Sequence, residues 1–310
     1  MSSKRIAFVC DEDLPNYLVN PKRYDYLQGK HSATGYYYWI LKNHGIENIE
    51  LVGLDANLND YDVVVIYYDN KDILQPNRKY KVIQSVSDRP QIEGCDLYIC
   101  CNYSTIKPIL DVELVKRCGV GLKHVLKGSW HYIHYPMALN YKKCNPVWPP
   151  SIYHFTGRQN TLIEELYSDV FIDHMKSKGI NLRFDFLTDH NNGDEDVYFC
   201  VRNNKTYYSE ICGGNNVDTA LGQKTANRLY QAWKMGTPSI FHSNSAMFSI
   251  RKSEYDFLIA DTVDEFEDAC IRLKTNEILF KNMVDVCNKR QNEHTNEDIV
   301  KQWMKGFSLI

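Results

Sequence analysis

The sequence predicts an α/β protein of two doubly wound domains facing an interdomain cleft. Three observations carry that expectation. Short runs of continuous apolar, β-branched residues such as DVVVIY (62–67) alternate with helix-like patterns, as in parallel sheets covered on both faces. The alternation halts at a proline-rich stretch, 130–151, and then resumes. The length, 310 residues, suits two domains of ordinary size.

The elements follow in order. RIAFVC (5–10) is an apolar strand, and SATGYYYWILKNH (32–44) has a helical pattern with Ser32 placed to cap it. Further strands are expected at 48–53, 62–67, 80–86 and 96–101, each too short for a buried helix. WHYIHYPMALNYKKCNPVWPPS (130–151) carries four prolines, which fix φ and remove donors, so a domain boundary is expected there. The division runs 1–148 and 149–310. The second series comprises strand 151–156, helix 159–177, strands 181–187 and 196–202, helix 223–235 and strand 238–242. A short helix at 245–252, strand 256–260, helix 262–274 and a helical 276–305 complete it, the last placed to pack back on the first domain.

Composition bounds the function. A net charge of −3 with 24% charged residues gives no bulk attraction to nucleic acid or to a membrane surface, and neither is expected as a partner. At 44% hydrophobic and 13% aromatic, the chain can bury a substantial core. Of its ten cysteines, Cys10, Cys100, Cys101 and Cys200 sit at strand ends and Cys270 and Cys287 in helical patterns, and with no CxxC they read as buried free thiols of a reducing cytosol. MSSKRIAFVCDED is too short in apolar residues for a secretory leader, and no run is long enough to span a bilayer, so a cytoplasmic location is expected.

The segment GQKTANRLYQAWKMGTPSIFHSNSA (222–246) carries the chemistry. Lys224, Asn227, Arg228 and Gln231 share one helical stripe, and Ala226, Leu229, Tyr230 and Trp233 share the opposite one. Cations in a first turn oppose the helix dipole by about 0.3–1 kcal/mol, so Lys224 and Arg228 sit at the wrong end for stability. A bound anion reverses that sign, because backbone N–H groups and both cations then face it. Gly236-Thr237-Pro238 leads into a buried strand, and Ser243, Asn244 and Ser245 open a second helix. Two adjacent helix starts, one with Lys and Arg, suit a diphosphate.

That succession of helix, Gly-Thr-Pro, strand, polar loop and short helix, followed by DFLIADTVDEFEDA, resembles the C-terminal domain of glycosyltransferases with the two-Rossmann-domain GT-B fold. QAWKMGTPSI (231–240) matches the family's E-A-x-x-x-G-x-P-V-I segment with Gln231 for the frequent Glu, and Gln223 stands at the partner position eight residues earlier. KTANRLYQAWKMGTPSIF is similar to a subgroup in which Lys and Arg surround the donor phosphates. YHFTGRQN (153–160) resembles the domain's opening strand and glycine loop. The resemblance implies donor contacts at Gly157, Arg158, Lys224, Asn227, Arg228, Gln231, Ser243, Asn244 and Ser245. Arg202, ending DVYFCVR, is either a further donor contact or a surface arginine.

Other candidates have two readings. Asp11-Glu12-Asp13 and Asp194-Glu195-Asp196 both spell DxD, but loop carboxylates in water explain them as well, and no metal is expected. Asp13, beyond the first strand, and His31, before the first long helix, are the candidate catalytic bases. Trp130, Tyr132, Tyr135 and Trp148 are packing residues or stacking surfaces for a sugar or base. The absence of GxGxxG after the first strand argues against a dehydrogenase.

The expected function is a metal-independent glycosyltransferase without a cofactor, moving a sugar from a nucleoside-diphosphate sugar to a glycan or other acceptor. Lys224, Arg228 and helix N-termini would stabilise the leaving diphosphate. The alternatives are a nucleotide-sugar epimerase of the same fold and a non-catalytic nucleotide- or glycan-binding protein.

Overall fold

A computed structural model of the chain describes residues 4–10, 30–86, 92–101, 129–133, 142–157, 159, 162–186, 193–201, 226–243, 245–293 and 295–310. Two parallel sheets organise them. The first holds β1 (Ile6–Val9), β2 (Ile49–Val52), β3 (Val63–Ile66), β4 (Lys81–Val86), β5 (Leu97–Cys100) and β6 (Trp130–Tyr132), in the order β2-β1-β3-β4-β5-β6. The second holds β7 (Ile152–Gly157), β8 (Asn181–Phe186), β9 (Val197–Cys200), β10 (Ser239–Phe241) and β11 (Leu258–Ile259), in the order β11-β10-β9-β7-β8. Every strand pairing is parallel.

Both faces of the first sheet are covered, which is why its strands read as unbroken apolar runs. Ile6 and Phe8 point into one core while their neighbours Ala7 and Val9 point into another. The first core is shared with α1 (Lys30–Asn43), through Tyr37, Ile40 and Leu41. Helix α1 starts at Lys30, so Ser32 lies inside it and does not cap it. Strand β6 was not expected: three residues beside a proline-rich stretch give no periodic signal of their own.

In the second half, Ser168 starts α2 (Asp169–Ser177) by accepting a hydrogen bond from the Phe171 N–H at 3.3 Å. The expected helix over 159–177 is therefore shorter, and Glu164–Tyr167 forms a tight 3₁₀ turn before it. Helix α3 (Asn227–Met235) ends at Gly236, whose φ of +78 lets two N–H bonds close on the last carbonyls. Helices α4 (Ser245–Ser249) and α5 (Val263–Thr275) follow. The helical 276–305 divides into α6 (Glu277–Arg290) and α7 (Asn296–Phe307), because Thr295 and Asp298 form a reciprocal capping box that starts a new helix.

Helix α7 lies on the first sheet. Fully buried Trp303 packs its ring 5.3 Å from Phe8 and 5.2 Å from Tyr37, centre to centre. Gly306 makes the close approach workable: a Cβ there would come within 3.2 Å of His131 Cδ2. His131 Nε2 bonds the Gln302 carbonyl at 2.7 Å, and burial pushes its pKa below the ordinary histidine value. Among the described residues no helix is long and apolar enough to cross a membrane, and the eight described cysteines are free thiols, seven of them buried.

Candidate functional site

Strand order locates the site. In the second sheet β7 lies between β8 and β9, so consecutive connections leave it in opposite directions and a switch point opens beyond the ends of β7 and β9. Arg228, in the first turn of α3, is anchored there. Its Nη1 donates to Thr156 Oγ1 at 2.9 Å, Tyr198 OH at 3.0 Å and Gln231 Oε1 at 3.0 Å, which joins the two strands to the helix. Tyr198 OH also donates to Gln231 Oε1 at 3.3 Å and lies 3.2 Å from Thr156 Oγ1. Nη2 faces Gly157, where a Cβ would sit only 3.0 Å away. Gly157 has φ +137, a conformation side chains rarely adopt, so the end of β7 is open backbone beside a guanidinium.

The described part of the stripe on α3 is only partly open to water: Asn227 and Arg228 are half-buried and Gln231 is buried. Only Lys234 is exposed along the helix, and Gln231 is 7% exposed. Ala226 precedes the helix without a side-chain cap, and the Asn227 side chain accepts from the Arg228 N–H at 2.9 Å. The Leu229 and Tyr230 N–H groups bond the Ala226 carbonyl at 2.9 and 3.1 Å, so the part of this helix start turned to the strand ends is the Arg228 side chain.

Ser243 is occupied differently from expectation. Its N–H and hydroxyl both donate to the Asp261 carboxylate, at 2.7 and 2.6 Å, and it is fully buried, so it serves the β10–α4 loop. Ser245 begins α4. His31 lies in the first turn of α1. Asp13, Arg158, Arg202, Lys224 and Asn244 lie outside the described residues, as do Asp11, Glu12 and Tyr135. Trp130 and Tyr132 belong to β6, and Trp148 is 39% exposed.

Comparisons with known proteins bear on this arrangement. No family model matches the chain, and no curated protein does. Solved structures do match across the whole of it. Sucrose-phosphate synthase from Thermosynechococcus elongatus superposes with a TM-score of 0.59 at 12% identity, covering 98% of this chain and 98% of that one. Anabaena Alr3699/HepE, in complex with UDP and glucose, gives 0.55 at 10% identity, covering 99% and 100%. The fold is that of the GT-B glycosyltransferases.

Within this GT-B chain, Thr156 and Tyr198 are the site residues that sequence reasoning missed. Their signal was present: polar His154 and Thr156 alternate with apolar Tyr153 and Phe155 along β7, which marks a polar face. That face meets α3. The other meets α5, where Tyr153 OH donates to the Cys270 carbonyl at 3.0 Å and burial pushes the phenol's pKa up.

Local contacts account for the second DxD. Asp194 forms a two-pronged pair with Arg183 on β8, at 2.7 and 3.1 Å. Glu195, fully buried, accepts from Gly193 N–H at 2.9 Å and Cys144 Sγ at 3.2 Å, and lies 3.2 Å from His154 Nδ1. Asp196 accepts backbone N–H bonds from Val147, Ser151 and Ile152. Glu195 and Asp196, both buried, tie the 142–151 segment to β7, whereas Asp194 is an exposed carboxylate paired with Arg183 of β8.

Proposed function

We propose that this chain is a metal-independent glycosyltransferase that takes its sugar from a nucleoside-diphosphate donor and transfers it to a glycan or other hydroxyl acceptor. The observation that carries the reading is the Arg228 guanidinium, held at the switch point of β7 and β9 with Nη2 turned to the bare backbone of Gly157. UDP- and glucose-bound Anabaena Alr3699/HepE shares the fold and supports the donor class.

In the transfer, the bond from the sugar's anomeric carbon to the β-phosphate oxygen breaks and one to the acceptor oxygen forms. The acceptor hydroxyl loses its proton, for which Asp13 and His31 are the candidate bases. Charge grows on the departing diphosphate. Arg228 supplies positive charge where it develops, in line with the α3 dipole, and Lys224, four residues earlier in sequence, is the second candidate cation. Arg228 is anchored before the ligand arrives, so little reorganisation accompanies the reaction.

Thermal unfolding with UDP, GDP, CMP and dTDP tests the reading. A ligand at ~100 times its dissociation constant adds about 2.7 kcal/mol of stability. The matching nucleotide sugar should then be consumed only with an acceptor present. Release of an isomerised sugar nucleotide instead identifies an epimerase, and binding without turnover a non-catalytic protein.

A further inference from the structure

Beyond the end of α3 that lies away from Arg228, a cavity of about 540 Å³ is lined by Ser249, Ile250, Arg251, Lys252, Arg290 and Glu293. It sits between the last turn of α6 and the turn that leads from α4 to β11. Cys287 of α6 donates its Sγ–H to the Thr237 carbonyl at 3.2 Å, just before β10, so this is the opposite end of the strands from the switch point.

Arg290 forms the inner wall and is 4% exposed. Its Nη2 donates to the Ile250 carbonyl at 2.7 Å, and its guanidinium lies 4.1 Å over the Trp233 ring. Nε lies 3.2 Å from Glu293 Oε2 and 3.6 Å from Asp256 Oδ1. The buried Nη1 has no hydrogen-bond partner among the described residues, a costly omission for a cationic donor. Fully buried Asp256 accepts the Lys252 and Ser253 N–H bonds at 2.8 Å each, which fixes the turn carrying Lys252. Lys252 Nζ then reaches Glu293 Oε2 at 2.7 Å. One carboxylate, 33% exposed, is thus shared by two cations in a lining that holds three.

We propose that this cavity is a second anion site, which takes the phosphate group of a small phosphorylated molecule and in which the Glu293 carboxylate stands until the ligand displaces it. An excess of two positive charges in the lining suits a phosphate dianion better than a carboxylate. The volume falls in the range of small-molecule sites and leaves room for the body of the ligand against Ile250. The inference stands apart from the transferase reading, since none of its residues belongs to the switch-point cluster.

The experiment measures thermal unfolding in inorganic phosphate against sodium chloride at equal ionic strength and one slightly alkaline pH. Proteins are the wild type, Lys252→Ala, Glu293→Gln and Arg228→Ala. Phosphate should stabilise the wild type saturably and beyond the chloride control. Lys252→Ala, a change at an exposed side chain, should raise the half-saturating phosphate concentration by about fivefold. Glu293→Gln keeps the shape, removes the competing charge and should lower it by about fivefold. Arg228→Ala should leave the phosphate response in place. A wild type that responds to phosphate no more than to chloride overturns the inference, as does a response that neither cavity substitution moves. A response that vanishes in Arg228→Ala also overturns it, because the anion then binds at the switch point.

Discussion

Two polar clusters occupy the same face of the second sheet, one pleat apart on β7, and they are built on opposite principles. Around Thr156, a guanidinium is fixed by neutral oxygens from a threonine, a tyrosine and a glutamine. Around His154 the partners are carboxylates: its ring lies 2.7 Å from Asp185 and 3.2 Å from Glu195, and Arg183 grips Asp194. The lower cluster joins β7, β8 and the 142–151 segment, and carboxylates held within the protein have little left for a ligand. The upper cluster sits at the strand ends, where three uncharged side chains hold one nitrogen of its cation. Position along a strand separates architecture from function here, and so does the kind of partner given to each charge.

The largest expected effect breaks the lower cluster. Glu195→Ala removes the acceptor of Cys144, Gly193 and the partner of His154, and should cost about 3–5 kcal/mol in urea unfolding. The folded fraction should keep its nucleotide affinity. Loss of affinity without loss of stability would reverse the assignment of the two clusters.

Arg228→Ala is the mirror case. Removing one preorganised donor from a developing anion should lower kcat by about 10²–10³, roughly 2.7–4 kcal/mol, measured by steady-state transfer from the nucleotide sugar. Lysine at this position should restore only part, since it cannot reach three anchoring oxygens and a ligand at once.

Gly157→Ala sharpens the comparison from the backbone side. The methyl would meet Nη2 at 3.0 Å in a strained conformation, so a stability cost of about 1–3 kcal/mol is expected together with weaker diphosphate binding. Equal binding would show that Arg228 has room to step aside.

The smallest effect contrasts His154 with His131, which has one carbonyl partner. Burial lowers the His131 pKa, so the unfolded chain binds the proton more tightly. Its contribution is complete above about pH 6.5 and is lost as pH falls towards the lowered folded value. His131→Gln should flatten that acid slope in thermal unfolding.

The strands and their parallel order of alternation were legible because β-branched runs bounded by turns leave few other readings. Arg228 was legible as a candidate because a cation in a first turn runs against the helix dipole, and Gln231 because it stands three residues on along the same stripe. Thr156 and Tyr198 were hidden, since each is one residue in an apolar strand and becomes meaningful only when α3 is laid across both. The DED tripeptide misleads for the same reason: its partners lie 11 to about 50 residues away, at Arg183, His154 and Val147. Strand β6 carries no periodicity that three residues could display.

The central claim is that Arg228 meets a diphosphate. A crystal structure with a bound nucleoside diphosphate tests it most directly. The account predicts a phosphate oxygen within about 3 Å of Arg228 Nη2, over the Gly157 backbone. A diphosphate seated elsewhere, out of reach of Arg228, would contradict it.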